Sequence, residues 1–237
     1  MSTASSAQPS VVVIGGTGGI GHAIAEYYAK LGSKVVITGR DAERTAASAA
    51  EIGDNVRGIA LDVAEPESIE KSLADIGHVD HLALVAVERD YNSAREYDIA
   101  RARRIVTMKL IGYTEVAHTL YPRMGAGASA VLFGGLASQR PYPGSTSITT
   151  VNGAVSSLIR TLAVELAPVR FNAIHPGIIS DSPAWRDKRE AIANIEKRTP
   201  GGRLATTSDV VHSVDFLFKN RGVNGINLVI DGGWLLT

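Results

Sequence analysis

The chain has 237 residues, 45% of them apolar and 20% charged, and its 24 Lys and Arg equal its 24 Asp and Glu in number. That size and apolar share fit one compact domain with a sizeable core, and the zero net charge gives no general field for nucleic acid or an anionic membrane surface. With no cysteine, thiolate nucleophiles, zinc–thiolate centres and disulfides are excluded. A small molecule held by local groups is the expected partner, and no metal site is expected.

Residues 1–10, MSTASSAQPS, have neither the basic start nor the apolar run of a secretion signal. They read as a disordered leader on a cytoplasmic protein, since no window approaches the roughly 18 apolar residues of a membrane span. From residue 11 onward, short apolar runs alternate with amphipathic stretches. Strands are predicted at 11–14, 34–38, 58–61, 81–87, 130–133, 170–174 and 227–230. Helices are predicted at 19–31, 42–52, 66–76, 94–121, 146–166 and 208–218. This alternation is the mark of βαβ units and of a doubly wound parallel sheet, a three-layer αβα Rossmann fold in one domain over 11–237. The one polar interruption, 180–202, precedes the last helix and reads either as a lid over the carboxyl ends of the strands or as a solvated surface helix.

The first strand leads into GGTGGIG, Gly15 to Gly21. Gly16, Gly18 and Gly21 fit G-x-G-x-x-G, while Gly15, Gly19 and Gly21 fit G-x-x-x-G-x-G; with a strand before and a helix after, either template points to a dinucleotide. Bare backbone N–H groups can then approach a pyrophosphate at the positive end of the helix, and Thr17 and Ile20 lie in the same turn. The second strand ends in TGRD, where an NAD site would usually place a carboxylate for the ribose 2′-hydroxyl. Gly39 stands there instead, and Arg40 can grip a 2′-phosphate through two N–H groups. Asp41 is better explained as the N-cap of the next helix. NADP is therefore favoured over NAD, the alternative being that Arg40 is a solvated loop arginine.

With these features in place, the chain resembles the short-chain dehydrogenase/reductase family nearly end to end. The resemblance rests on GGTGGIG, LDV at Leu61–Val63, VDHLALVA at Val79–Ala86, HPG at His175–Gly177, GGR at Gly201–Arg203 and DGGW at Asp231–Trp234. It implies that Asp62 and Val63 lie along the adenine, that Ala86 belongs to the cofactor wall, and that Pro176, Gly177 and Ile179 line the nicotinamide. It also implies a homo-oligomer, tetramer or dimer, with the terminal Asp-Gly-Gly at an interface.

The family's reacting residues do not carry over. Its Tyr-x-x-x-Lys falls on Ile148 and Asn152, its serine on Gly135, the asparagine of the preceding helix on Lys109, and its Asn-Asn-Ala-Gly on Leu84–Val87. In the family the tyrosine moves a proton to or from the substrate oxygen, a role worth typically about 10²–10⁴ in rate. Isoleucine cannot supply it. Lysine and asparagine look exchanged between helices, so that Lys109 and Asn152 face each other across the site, Asn152 on the ribose and Lys109 bringing the cation as proton donor or anion clamp. The competing reading has Lys109 snorkelling to solvent. Tyr91, four residues before Arg95, is a weaker candidate donor. His118 reads as packed or solvated, and His175 as structural.

Two function classes follow. One is an NADP(H)-dependent oxidoreductase with an altered acid, acting on a substrate such as an iminium or a conjugated alkene. The other is a non-catalytic dinucleotide sensor, or an inactive partner subunit of an active homologue.

Overall fold

The computed structural model describes residues 8–237. Its seven strands are β1 (Ser10–Ile14), β2 (Lys34–Gly39), β3 (Val56–Ala60), β4 (Val79–Leu84), β5 (Met124–Phe133), β6 (Arg170–Pro176) and β7 (Asn227–Ile230). The helices are α1 (Gly19–Lys30), α2 (Ala42–Ile52), α3 (Ile69–Ser72), α4 (Ile99–Val106), α5 (Tyr113–Leu120), α6 (Thr146–Glu165), α7 (Arg189–Glu196) and α8 (Thr207–Lys219). All strands pair in parallel, in the order β3-β2-β1-β4-β5-β6-β7. The order reverses beside β1, and at such a switch point the crossovers diverge to opposite faces and leave a crevice at the carboxyl ends of the strands.

β1 explains why the strand runs are continuously apolar. Successive side chains point to opposite faces, so Val12 and Ile14 join one buried cluster while Val11 and Val13 join another. The first cluster takes side chains from α3, α4, α5 and α6, and the second from α1, α2 and α8. A strand with a covered layer on each side needs apolar residues at every position.

Ser10 belongs to β1 and so to the sheet rather than the predicted leader; residues 1–7 of that leader lie outside the described residues. The predicted helix over 94–121 begins only at Ile99. Asp98 caps it by accepting from Arg101 N at 3.0 Å, and the buried Asn92 side chain ties both Asp98 N and Asp98 O, which holds 92–98 as a loop. The predicted helix over 66–76 is a 3₁₀ turn, Pro66–Ser68, followed by the single turn of α3. The Arg123 guanidinium engages Leu73 O and Ile76 O, supplying tertiary partners for carbonyls where the helix stops. β4 ends at Leu84 rather than at residue 87, and Val87 is exposed. Asp41 caps α2 as expected, accepting from Arg44 N at 2.8 Å.

Candidate functional site

The crevice beside β1 is a cleft of ≈ 410 Å³. Its floor is the glycine loop. Gly15 N donates to Thr38 Oγ1 at 3.2 Å and Gly16 N to Thr38 O at 3.0 Å, which pins the loop to β2. A methyl group at position 21 would come 2.1 Å from Gly15 O, and one at position 15 would come 2.7 Å from the Ala86 backbone. The loop therefore closes only around bare backbone. No side chain caps α1 at Gly18, and no acidic residue lies in its first turn, so the first N–H groups of the helix remain available to an anion. These features fit a pyrophosphate. Gly21→Ala is expected to weaken dinucleotide binding more than about tenfold, because a loop shift that relieves the clash misaims several N–H donors at once. A fluorescence titration with NADPH checks this, with circular dichroism confirming the fold.

Thr17, Gly18, Gly19, Ile20, Arg40, Asp62, Val63, Ala86 and Pro176 also line the cleft. Gly177 and Ile179, expected beside the nicotinamide, do not: Gly177 packs on Asp231, and Ile179 is buried and bridges to Ala205. Arg44 lines the cleft and lies close to Gly18. Sequence reasoning missed it, although a second arginine four residues after Arg40 on an N-terminal helical turn was a visible signal.

Four charges cross the upper edge of the cleft. Arg104 holds Glu88 through Nε (2.9 and 3.1 Å) and Nη2 (2.6 Å), and its Nη2 also reaches Asp62 at 2.9 Å. Arg40 Nη1 pairs with Glu88 at 2.5 Å. Arg40 is thus paired with Glu88 while its side chain stays 63% exposed. Burial pushes the Asp62 carboxyl up, but the Ala64 N–H and the Arg104 guanidinium outweigh it and hold it below the usual carboxylate range.

At the other end of the cleft, Lys109 sits in a π-helical turn, Thr107–Gly112, between α4 and α5. It is 1% exposed, which rules out the snorkelling reading. Its Nζ donates to Phe133 O at 2.6 Å and to Tyr113 Oη at 3.0 Å, and Tyr113 Oη in turn donates to Ala86 O at 2.7 Å. Two protein acceptors leave the third position on nitrogen for whatever occupies the cleft that Lys109 lines. Burial lowers its pKa to about 7.

Among the described residues no hydrogen bond joins Lys109 to Asn152. The shared network expected between them is replaced by the Lys109–Tyr113 pair. Asn152 is buried at 5% exposure, with its amide against Gly135, where a Cβ would come 2.8 Å from Nδ2. Gly134 leaves matching room for the His175 ring. His175 Nδ1 accepts from Gly135 N at 3.2 Å, which places the ring proton on Nε2, facing Asn227 Oδ1 at 2.8 Å. Burial lowers its pKa and keeps it a neutral structural group. Ile148 is half-buried against the core. Tyr91 is 72% exposed and Tyr142 is also exposed, and neither lines the cleft. His118 is exposed on α5. Among the described residues no group of His, Asp and Glu could hold a metal ion, and no helix is long and apolar enough to cross a membrane.

Comparison with known proteins agrees with this architecture. The family model described as enoyl-(acyl carrier protein) reductase matches residues 15–235. The chain is 30% identical to bovine L-xylulose reductase over 241 residues, covering 95% of this chain and 96% of that protein. A Brucella melitensis short-chain dehydrogenase/reductase superposes with a TM-score of 0.88 at 27% identity, covering 96% of each chain. A 3-ketoacyl-(acyl-carrier-protein) reductase from the same organism, solved with NADH, superposes at 0.83 with 26% identity, covering 96% of this chain and 98% of that one. The chain belongs to the short-chain dehydrogenase/reductase family.

Proposed function

We propose that the protein is an oxidoreductase that holds NADP(H) along the cleft and exchanges its proton through Lys109, at an active site without the family's Ser, Tyr and Lys. The observation carrying this reading is Lys109 itself: a buried amine with two fixed acceptors and one position turned to the cleft. The glycine loop and the start of α1 would hold the pyrophosphate, Asp62 and Val63 the adenine, and Arg40 with Arg44 the 2′-phosphate. Ala86 and Pro176 would flank the nicotinamide half, while Asn152, buried against Gly135 and off the cleft wall, would not reach its ribose. The dinucleotide, when bound, supplies or accepts hydride. Lys109 holds a proton at Nζ and gives it to the substrate atom that gains electrons, a step positioned acids accelerate by about 10²–10⁴. An amine acid suits an imine, whose nitrogen takes the proton as hydride adds to carbon, or a conjugated alkene, whose second carbon takes it.

The NADH-bound relative supports a nicotinamide dinucleotide, and Arg40 just after β2 with Arg44 in the first turn of α2 supports NADP. Segment 180–202 would serve as the lid; α7 within it leaves no side chain fully buried, as a mobile cover requires. Arg40→Ala is expected to weaken NADPH binding about tenfold and NADH binding little, since a charge-assisted contact of this kind contributes roughly 1.5–3 kcal/mol before screening; paired titrations check it. The activity test follows NADPH consumption across ketones, imines and enones. Consumption with an imine or enone, lost in Lys109→Met, supports the reading. Binding without consumption by any of them moves the protein to the non-catalytic class, a sensor or inactive partner subunit, which Ile148 at the tyrosine position favours.

A further inference from the structure

The Arg40–Glu88 pair spans the cleft. Arg40 follows β2 and Glu88 lies four residues past the end of β4, while β1 and its glycine loop stand between them in the sheet. Adjacent strands are about 4.8 Å apart, so the ends of β2 and β4 are separated by roughly 10 Å. A direct contact at 2.5 Å between the two side chains therefore crosses above the glycine loop, and both residues line the same cavity as that loop. The charges around this bridge sum to zero: Arg40 and Arg104 against Asp62 and Glu88. Glu88 is the inner partner, with its side chain 24% exposed against 63% for Arg40, and Arg104 fixes it from below through three contacts.

From this we infer that Glu88 sets the choice between the phosphorylated and unphosphorylated dinucleotide, by competing with a 2′-phosphate for Arg40. The inference rests on the proposed dinucleotide site. A ligand with a free 2′-hydroxyl leaves the Arg40–Glu88 pair in place, whereas a 2′-phosphate must draw Arg40 away from a carboxylate and settle beside it. Arg44, which has no ion pair among the described residues, is the cation left for the phosphate without that exchange.

The test is Glu88→Gln, which keeps the shape and one acceptor while removing the charge, with Kd for NADPH and NADH measured by fluorescence titration on the full chain. NADPH affinity is expected to rise roughly fivefold, as for a partly exposed ion pair, with NADH affinity within about twofold of the parent. Glu88→Asp, which keeps the charge on a shorter arm, is expected to fall between the two. An unchanged NADPH/NADH ratio in Glu88→Gln overturns the inference, and so does a loss of NADPH affinity, which would mean that Glu88 positions Arg40 rather than competing for it. Failure of the parent protein to bind either dinucleotide overturns the proposed function and this inference together. A melting curve for each variant separates these results from misfolding.

Discussion

Lys109→Met is expected to abolish most turnover and to make the protein more stable. A buried lysine with its pKa lowered to about 7 works against folding at neutral pH, because the unfolded chain keeps that amine charged up to its ordinary value of 10.5. Between about 7 and 10.5 the unfolded chain binds a proton that the folded chain lacks, so stability rises with pH across that window. Below about 7 the folded protein carries the buried ammonium and the penalty is complete. At about 1.4 kcal/mol per pKa unit, the shift corresponds to on the order of 5 kcal/mol. Methionine removes this cost and leaves Phe133 O without its donor, a loss of about 1–3 kcal/mol. The balance favours the variant by a few kcal/mol, or roughly 5–10 °C in Tm for a chain of this length. Turnover should fall by about 10²–10⁴ with NADPH binding retained. In the parent, the rate of reduction should decline above about pH 7 as the ammonium donor is lost. A stability curve against pH and a kcat profile check both halves. Unchanged turnover in Lys109→Met would remove Lys109 from the chemistry.

Restoring the family's pair on α6 is expected to fail while Lys109 remains. Ile148→Tyr with Asn152→Lys puts a second ammonium at the end of β5, where Asn152 is buried against Gly135 and Lys109 already holds Phe133 O. An uncompensated buried charge costs about 3–5 kcal/mol, which urea unfolding would register. Adding Lys109→Asn removes the repulsion, and the triple variant should recover most of the lost stability and gain ketone reduction that the double variant lacks. Equal stability and activity in the double and triple variants would show that positions 109 and 152 do not couple.

Most of the architecture is legible in the letters because it rests on local patterns. A continuous apolar run marks β1, the glycines mark the turn after it, and Asp41 marks the start of α2. Misplaced boundaries have non-local causes: the Asn92 side chain delays α4, and Arg123, some fifty residues away in the chain, ends the turn at Leu73. The Lys109 end of the cleft was half legible. Lys109 stands out by misfit to the family pattern, and Tyr113, four residues on, was an available acceptor on the same helical face. What hid the pair was the expectation that Lys109 would look across to Asn152. The tie from Arg40 to Glu88 joins the loops after β2 and β4 and leaves no trace in either loop's composition.

The sheet divides the apolar interior into two clusters, and this division separates two sets of packing changes. Positions 109, 113, 148 and 152 all lie on elements of the layer formed by α4 to α6, while α1, which follows the glycine turn, and α2, which carries Arg44, cover the opposite face. Substitutions on one face do not repack the other, so their effects should combine nearly independently. Repacking around positions 109, 113, 148 and 152 can therefore proceed with little effect on the packing beneath the glycine turn, and the coupling that remains runs through the cleft itself, as in the Tyr113 bond to Ala86 beside Gly15. The open cleft above the sheet, lined by Lys109 from one layer and by the glycine turn from the other, is where the two halves of the molecule meet.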